Sequence, residues 1–372
     1  MEIKNNFKFS LTLDYEVMGD GSGDVYDLII NPTEKFLQVC KEQNISATIF
    51  FEVVEYWKIK EYYSKGKLKE YSTDPTIDME NQMRKSIADG HDVQLHIHPQ
   101  WLDAEYFNGK WLINDNMHRL PDLEKFKDTN RYSMTKLIHE GKKTLENLFK
   151  DINVNYECNI FRSGGLNIYP SQDVLCALRE NNFHADSSIF PYAFSDTNFT
   201  KYDYRKVSNR DIYWVTNSET LSDPTKISGD YTPFLELPIF SILTKRYQKY
   251  DIFRIYNKIF NSNASTTTIS QAKDKLKEKK ISEKINYFFD EESLMWDFCL
   301  FSKRKHKRYL SFIKQNCDYS VNDIHPIILI GHSKEINNYN IANLKWFIEV
   351  VKTSGFEFLS MSDITRMILN KN

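Results

Sequence analysis

Two histidines stand two residues apart in this chain, and their type and spacing suit the binding of one metal ion. His96 and His98 close the segment GHDVQLHIHP (90–99), whose apolar run predicts a strand. Side chains at positions i and i+2 of a strand leave the same face, roughly 6 to 7 Å apart along the backbone. Both imidazole rings can therefore reach a single cation.

Two carboxylates repeat this arrangement far upstream. Residues 7–13 predict a strand that ends in Asp14-Tyr15-Glu16, with the same two-residue spacing between the acids. Two imidazoles and one carboxylate form the protein ligand set of a catalytic zinc centre. The sequence thus predicts a metal site that combines the histidine pair with one of these two acids.

The composition is that of an ordinary globular protein without a strong overall field. Of the 372 residues, 41% are hydrophobic and 27% are charged, which permits one large domain or two small ones. The 49 basic and 51 acidic residues leave a formal net charge of -2. Because this charge is close to zero, it would not draw the protein toward nucleic acid or an anionic membrane, and we expect neither partner.

The ends of the chain and its cysteines bear on the compartment. The first predicted strand begins near Phe7 without a basic and apolar leader, and no run approaches the roughly 20 apolar residues of a membrane span. The five cysteines are widely spaced and never form a CxxC pair, which argues against a disulfide framework or a thiolate zinc site. These features predict a cytoplasmic protein with reduced thiols and without a membrane span.

Short β-rich runs alternate with helical patterns along most of the chain. This alternation predicts a parallel sheet covered by helices, either a closed barrel or an open doubly wound sheet. The first helix is expected to begin at Asn31 as the cap residue, followed by Pro32. Strands are predicted at 7–13, 47–51, 93–97, 158–161, 183–185, 213–216, 234–237, 327–330 and 356–359, and further helices at 78–88, 131–149, 172–181, 339–353 and 363–370.

The residue types that could do chemistry lie at or just beyond the C-terminal ends of these predicted strands. Several strand ends that meet at one mouth are typical of a barrel, which we therefore favour over the open sheet. The residues are Asp14, Glu16, His96, His98, Arg162, Glu236 and His332.

Between residues 241 and 323 the pattern changes to a long polar stretch, which we interpret as a helical insertion. It has a predicted loop at 261–268 and predicted helices at 270–279 and 291–313. The insertion could cover the site as a lid or be a simple surface excursion, and the sequence leaves both open.

Several short motifs occur in an order that resembles the polysaccharide deacetylases, carbohydrate esterase family 4. The resemblance spans roughly residues 7–335 and says nothing about the insertion. It implies a distorted (β/α) barrel of about seven or eight parallel strands, in a single catalytic domain over residues 1–372. The motifs are the acidic strand end at Asp14, ATIFF (47–51), GHDVQLHIHP (90–99), FRSGG (161–165), DSSIFP (186–191) and ILIGH (328–332).

The resemblance implies roles for the acids and the histidines. Asp14 would be the catalytic base and Glu16 a metal ligand; because the family usually has adjacent aspartates, an exchange of these two roles stays open. His96 and His98 would be the other ligands, although the family's histidines usually stand four residues apart. His91 could replace one of them, but we expect it to pack outside the site.

Two further residues complete the implied catalytic set. Arg162 would hold the catalytic aspartate, since its planar fork of donors suits a carboxylate, and His332 would be the general acid. The family often tunes this histidine with a further aspartate. Glu236 or Asp186 could take that place, although Asp186 could equally bind the backbone of the two following serines in a turn.

The implied activity is that of a metal-dependent deacetylase that cleaves the carbon–nitrogen bond of an amide. Its substrate would be an N-acylated, mainly N-acetylated, sugar of a surface-polysaccharide precursor. One divalent ion would be the cofactor, with Zn2+ as the first choice and Co2+, Ni2+ or Fe2+ also compatible with N and O ligands. Hydrolysis of another non-peptide amide, and a non-catalytic glycan-binding protein with a decayed site, stay open as alternatives. The sequence does not indicate an oligomeric state.

Overall fold

The protein is described by a computed structural model over residues 6–126, 133–197, 199–208, 214–215, 234–249, 287–316 and 324–370. The helices are α1 (Asn31–Gln43), α2 (Val53–Ser64), α3 (Pro75–Ala88), α4 (Met134–Phe149), α5 (Gln172–Glu180), α6 (Lys303–Asn316), α7 (Asn338–Thr353) and α8 (Met361–Leu369). The strands are β1 (Phe7–Tyr15), β2 (Thr48–Glu52), β3 (Asp92–Ile97), β4 (Glu105–Phe107), β5 (Lys110–Leu112), β6 (Ile160–Ser163), β7 (Ala185–Asp186), β8 (Phe194–Asp196), β9 (Lys201–Asp203), β10 (Trp214–Val215), β11 (Leu235–Glu236), β12 (Ser241–Lys245), β13 (Glu291–Met295), β14 (His325–His332) and β15 (Glu357–Phe358).

One curled sheet carries the fold. Its order is β10-β11-β7-β6-β3-β2-β1-β14, and all of these strands are parallel except β10, while β15 pairs with the start of β1. The chain just beyond β11 returns to the far edge, where Phe240 N donates to Ile328 O of β14 at 2.9 Å. The predicted distorted (β/α) barrel, with seven consecutive parallel strands, is therefore confirmed.

The inside of the curled sheet is closed at one end by α8. One residue from each of five strands packs with Met361, Ile364 and Ile368 of that helix in a separate buried cluster. β1 is buried along its whole length, as expected for a parallel strand with both faces covered. The strand residues of the cluster are Phe50, Ile160, Ala185, Leu235 and Ile328.

Two helices near the site differ from the sequence predictions. Asn31 is not a cap: its backbone is helical (φ -63°, ψ -42°), because one π-helical turn, Tyr26–Ile30, precedes α1. The cap is Asp24, whose Oδ1 accepts from the backbone N–H groups of Tyr26 and Asp27. The sequence analysis also missed α2, which begins directly after β2 and is capped by the Glu52 side chain.

The region 241–323 is only partly described. The predicted loop at 261–268 and helix at 270–279 lie outside the described residues, and the insertion and single-domain organisation stay predictions. The helix predicted at 291–313 is wrong in its first part, because β13 pairs there with β12 in antiparallel register and α6 begins only at Lys303. Tertiary pairing overrides the local helical pattern. No helix among the described residues has the length and apolar composition needed to cross a bilayer.

Candidate metal centre

The C-terminal ends of two pairs of strands, β1 with β14 and β3 with β6, place the candidate residues around one point. Across β1 and β14, Asp14 is in register with His332, and across β3 and β6, His96 is in register with Arg162. The remaining two candidates, a glutamate and a histidine, follow directly after β1 and β3. Because parallel strands end at the same edge of a sheet, residues far apart in sequence meet there.

Glu16, His96 and His98 form a tight buried cluster. Their ligand atoms all lie within 4.8 Å of one another. Oε2 of Glu16 is 3.2 Å from Nε2 of His96 and 2.6 Å from Nε2 of His98. One carboxylate oxygen and two imidazole nitrogens thus face a common point, as the two-residue spacings in both strands predict.

The outer nitrogens of both rings have partners that suit metal ligation. Nδ1 of His96 donates to the backbone oxygen of Arg162 at 2.9 Å, which directs Nε2 toward the cluster. Nδ1 of His98 lies 2.9 Å from the side-chain amide of Gln100. The oxygen of that amide is buried without a partner among the described residues. When the O and N positions of the Gln100 amide are exchanged, this oxygen accepts a hydrogen bond from the Nδ1–H of His98. The donor set therefore fits a divalent metal with N and O ligands.

A lysine that the sequence analysis missed neutralises the glutamate. Nζ of Lys334 donates to Oε1 of Glu16 at 2.7 Å. Burial opposes ionisation of Glu16, but Lys334 and the imidazoles outweigh it and hold the pKa of the carboxyl well below its usual range. Burial also disfavours a charged His96, yet Asp14 and Glu16 raise its pKa to about 9. Without a metal, these carboxylates therefore retain a proton on His96.

Asp14 lies beside the cluster, and its two oxygens face different partners. Nη1 of Arg162 donates to Oδ1 at 2.7 Å, whereas Oδ2 lies 3.7 Å from Nε2 of His332 and 4.0 Å from Nε2 of His96. The close contacts with His96 and His98 are thus made by Glu16, and Asp14 lies between the cluster and His332. The structure brings together all six residues named as catalytic or metal-binding candidates.

Arg162 is itself held in one orientation. It is fully buried, and its Nε and Nη2 donate to the backbone oxygen and the hydroxyl of Ser187. The guanidinium carbon lies 4.0 Å from the ring centre of Phe50. Stacking and directed hydrogen bonds of this kind require the planar fork of arginine.

Asp186 and Glu236 do not contact His332 in the way that a tuning carboxylate would require. They face each other across β7 and β11, where Oε1 of Glu236 accepts from the backbone N–H of Ile189 at 3.4 Å. Asp186 accepts from the backbone N–H and hydroxyl of Ser188, in the turn that the sequence suggested. Burial, and then Asp186, raises the pKa of Glu236 well above its usual range, so Glu236 holds a proton. The pair supports the turn that binds Arg162.

Two more buried acids lie behind the cluster and were not predicted. Oε1 of Glu52 caps α2, and Oε2 has no partner among the described residues. Glu55 accepts from the backbone N–H of Val17 with both oxygens. Burial raises the pKa of both carboxyls. A glutamate at a strand end that also begins a helix is the sequence signal that could have identified Glu52.

His91 lies outside the site, as expected. It precedes β3, at the opposite end of the strand from the cluster, and its Nδ1 accepts from the backbone N–H of Ala47 at 3.2 Å. The closely spaced pair His96 and His98 is therefore the one that faces the acids.

No protein-family model and no curated protein sequence matches the chain. Solved structures match it at low sequence identity. A Mycobacterium smegmatis protein described as a polysaccharide deacetylase is 12% identical, with 98% of this chain and 91% of that chain covered and a TM-score of 0.47. The allantoinase Puue is 11% identical, with 97% and 89% covered and a TM-score of 0.46.

The peptidoglycan deacetylase PdaC from Bacillus subtilis is 10% identical, with 98% of this chain and 92% of that chain covered and a TM-score of 0.33. Polysaccharide deacetylases, which the motifs resemble, are thus among the matches. Because these TM-scores are low, a functional interpretation has to come from the geometry of the site.

Proposed function

We propose that this protein is a metal-dependent hydrolase that removes an acyl group, in the first instance acetyl, from the nitrogen of a sugar. The observation that carries the proposal is the position of Asp14 between a Glu–His–His cluster and His332, with one oxygen bound by Arg162. This arrangement has a ligand set, a base and an acid within a few ångströms of one another. A protein that only binds glycans would not need an oriented base opposite an acid.

Glu16, His96 and His98 would hold the metal. A divalent ion bound there would supply a Lewis acid that polarises the acyl carbonyl and lowers the pKa of water from 15.7 toward about 7. Zinc is the first choice, and Co2+, Ni2+ or Fe2+ also accept these ligands.

The residues around that position would move the protons. Asp14 would take the proton of the attacking water at Oδ2, because Oδ1 is already occupied by Arg162. Arg162 would hold the carboxylate in one orientation. His332 would hold a proton at Nε2 and give it to the departing nitrogen, which is otherwise a poor leaving group.

The sugar substrate is proposed from the sequence motifs alone. The aromatic side chains near the site give no further support for a sugar-binding surface. Trp101 and Trp111 lie 5.2 Å apart between ring centres, and Tyr106 is 5.0 Å from Trp111. These rings therefore contact one another and are committed to packing. An N-acetylated precursor of a surface polysaccharide, handled in the cytoplasm, stays the proposed substrate.

Acetate release by the metal-loaded protein tests the proposal. N-acetylhexosamines, free and linked to a nucleotide or lipid diphosphate, would be compared with a set of cyclic and linear non-peptide amides. We expect acetate from at least one sugar derivative, and a much slower release by the Asp14→Asn variant. Cleavage of another amide without acetate release would favour a hydrolase of other non-peptide amides. Glycan binding without turnover would favour a non-catalytic glycan-binding protein.

A further inference from the structure

Lys334 is a buried cation that the proposed proton transfers do not use. Its side chain is 11% exposed, and Nζ donates to Oε1 of Glu16 at 2.7 Å and to the backbone oxygen of Val17 at 2.9 Å. The other oxygen of Glu16, Oε2, is the one that faces the two histidines. The two oxygens of this carboxylate therefore have different partners.

We propose that Lys334 is a positioning residue that makes Glu16 a ligand through one oxygen only. Carboxylates bind cations with one or both oxygens, and the choice depends on what else each oxygen contacts. An ammonium group that donates to Oε1 withdraws this oxygen from a metal held at Oε2. With three protein ligand atoms in place, further positions stay open for water and substrate, as a catalytic site requires. The inference rests on the proposed metal site.

A glutamate at this position needs such a partner more than an aspartate would. Its side chain has an additional rotatable bond, so more conformational freedom must be lost to hold its carboxylate in place. Lys334 binds the carboxylate itself, and Ser333 Oγ donates to the backbone oxygen of Glu16 at 3.4 Å. On the other side, Glu55 accepts from the backbone N–H of Val17. The segment after β1 is thus held from two directions.

The same contact joins the two halves of the site. Lys334 lies two residues after His332, in the short 3-10 helix Ser333–Glu335 that follows β14, whereas Glu16 follows β1. The segment that follows the proposed general acid therefore also sets the orientation of the proposed metal ligand. Loss of Lys334 should consequently alter the metal environment without removing a ligand.

The visible spectrum of bound Co2+ tests this inference without an activity assay. Co2+ absorbs strongly in a four-coordinate site and weakly at higher coordination numbers, so its spectrum reports geometry. In Lys334→Met, Glu16 is free to bind with both oxygens, and we expect weaker absorption per bound Co2+. Lys334→Arg keeps a donor to Oε1 and should retain a spectrum close to that of the unmodified protein.

Lys8→Met is the matched control. Lys8 is also 11% exposed and also pairs with a glutamate, Glu357, but near the opposite end of β1. The control should leave the Co2+ spectrum unchanged, since the loss of a lysine–glutamate ion pair away from the cluster does not alter coordination.

Each outcome decides between the two hypotheses. A Lys334→Met protein that binds Co2+ fully and has an unchanged spectrum would overturn the role of Lys334 and leave the metal site intact. Failure of the unmodified protein to bind Co2+ would overturn both. If Lys334→Met does not fold, a crystal structure of the Co2+-loaded unmodified protein decides, because two Glu16 oxygens at bonding distance would contradict the proposal.

Discussion

Arg162 donates from Nη1 to Oδ1 of Asp14 across 2.7 Å, and both side chains are buried. This contact occupies one oxygen of the carboxylate and orients the other toward His332. It also distinguishes the two neighbouring acids by their contacts, because Glu16 makes the close contacts with the histidine pair.

Replacing Asp14 by Asn should slow catalysis strongly without removing the metal. The amide cannot take a proton, so we expect kcat to fall by about 10²- to 10⁴-fold, the usual contribution of a general base. Metal content should stay stoichiometric, because Glu16 supplies the carboxylate of the cluster. Metal analysis and steady-state kinetics check this together. Loss of metal from Asp14→Asn would instead support the exchange of roles between Asp14 and Glu16.

Removing a ligand of the cluster should remove the metal. His98→Ala and Glu16→Ala each delete one of the three facing ligand atoms, and we expect metal per protein to fall well below that of the unmodified chain. His91→Ala is the control, since His91 precedes the same strand at its opposite end. Elemental analysis after dialysis gives the result. Equal metal content in all of these variants would exclude the site.

Replacing Arg162 by Met should destabilise the protein strongly. The change leaves the buried carboxylate of Asp14 without its partner, and breaking a buried ion pair from one side costs about 3 to 5 kcal/mol. Chemical denaturation measures the difference in unfolding free energy. Arg205→Met, which breaks the exposed pair with Asp203, should cause no measurable loss. Similar stabilities for both variants would mean that Asp14 is less dependent on Arg162 than its geometry indicates.

Glu236→Gln should become relatively more stable as the pH rises. The folded protein keeps the proton of Glu236 because its pKa is well above the ordinary value of 4.5, whereas the unfolded chain loses it. Between these pKa values the stability of the unmodified protein falls with increasing pH, by up to about 1.4 kcal/mol per unit, and glutamine has no such loss. Denaturation of both proteins at pH 5 and pH 8 checks the sign. A difference that does not change with pH would show that Glu236 ionises normally.

The local pattern was sufficient for much of the fold and for the ends of the strands that carry the site. The alternation of β-rich and helical runs identified most of the parallel strands, because each signal lies within a few residues. The helix predicted at 291–313 failed for the opposite reason: β13 exists through its pairing with β12, a contact from a distant segment. The missed cap at Asp24 likewise depended on a π-helical turn that ordinary helix signals do not indicate.

The spacing of His96 and His98, and of Asp14 and Glu16, is a property of the sequence, since the two-residue period of a strand places each pair on one face. Because Asp14 and Glu16 lie on the same face, the two-residue period does not indicate which of them is the base and which is the metal ligand. The folded chain distinguishes the two carboxylates, because Arg162 and Lys334 come from segments that are distant in sequence and bind one carboxylate each. The family resemblance had already implied Arg162 as the partner of Asp14. Directional hydrogen bonds between buried charges form only once the strands are in register, and so Lys334 was identified only in the folded chain.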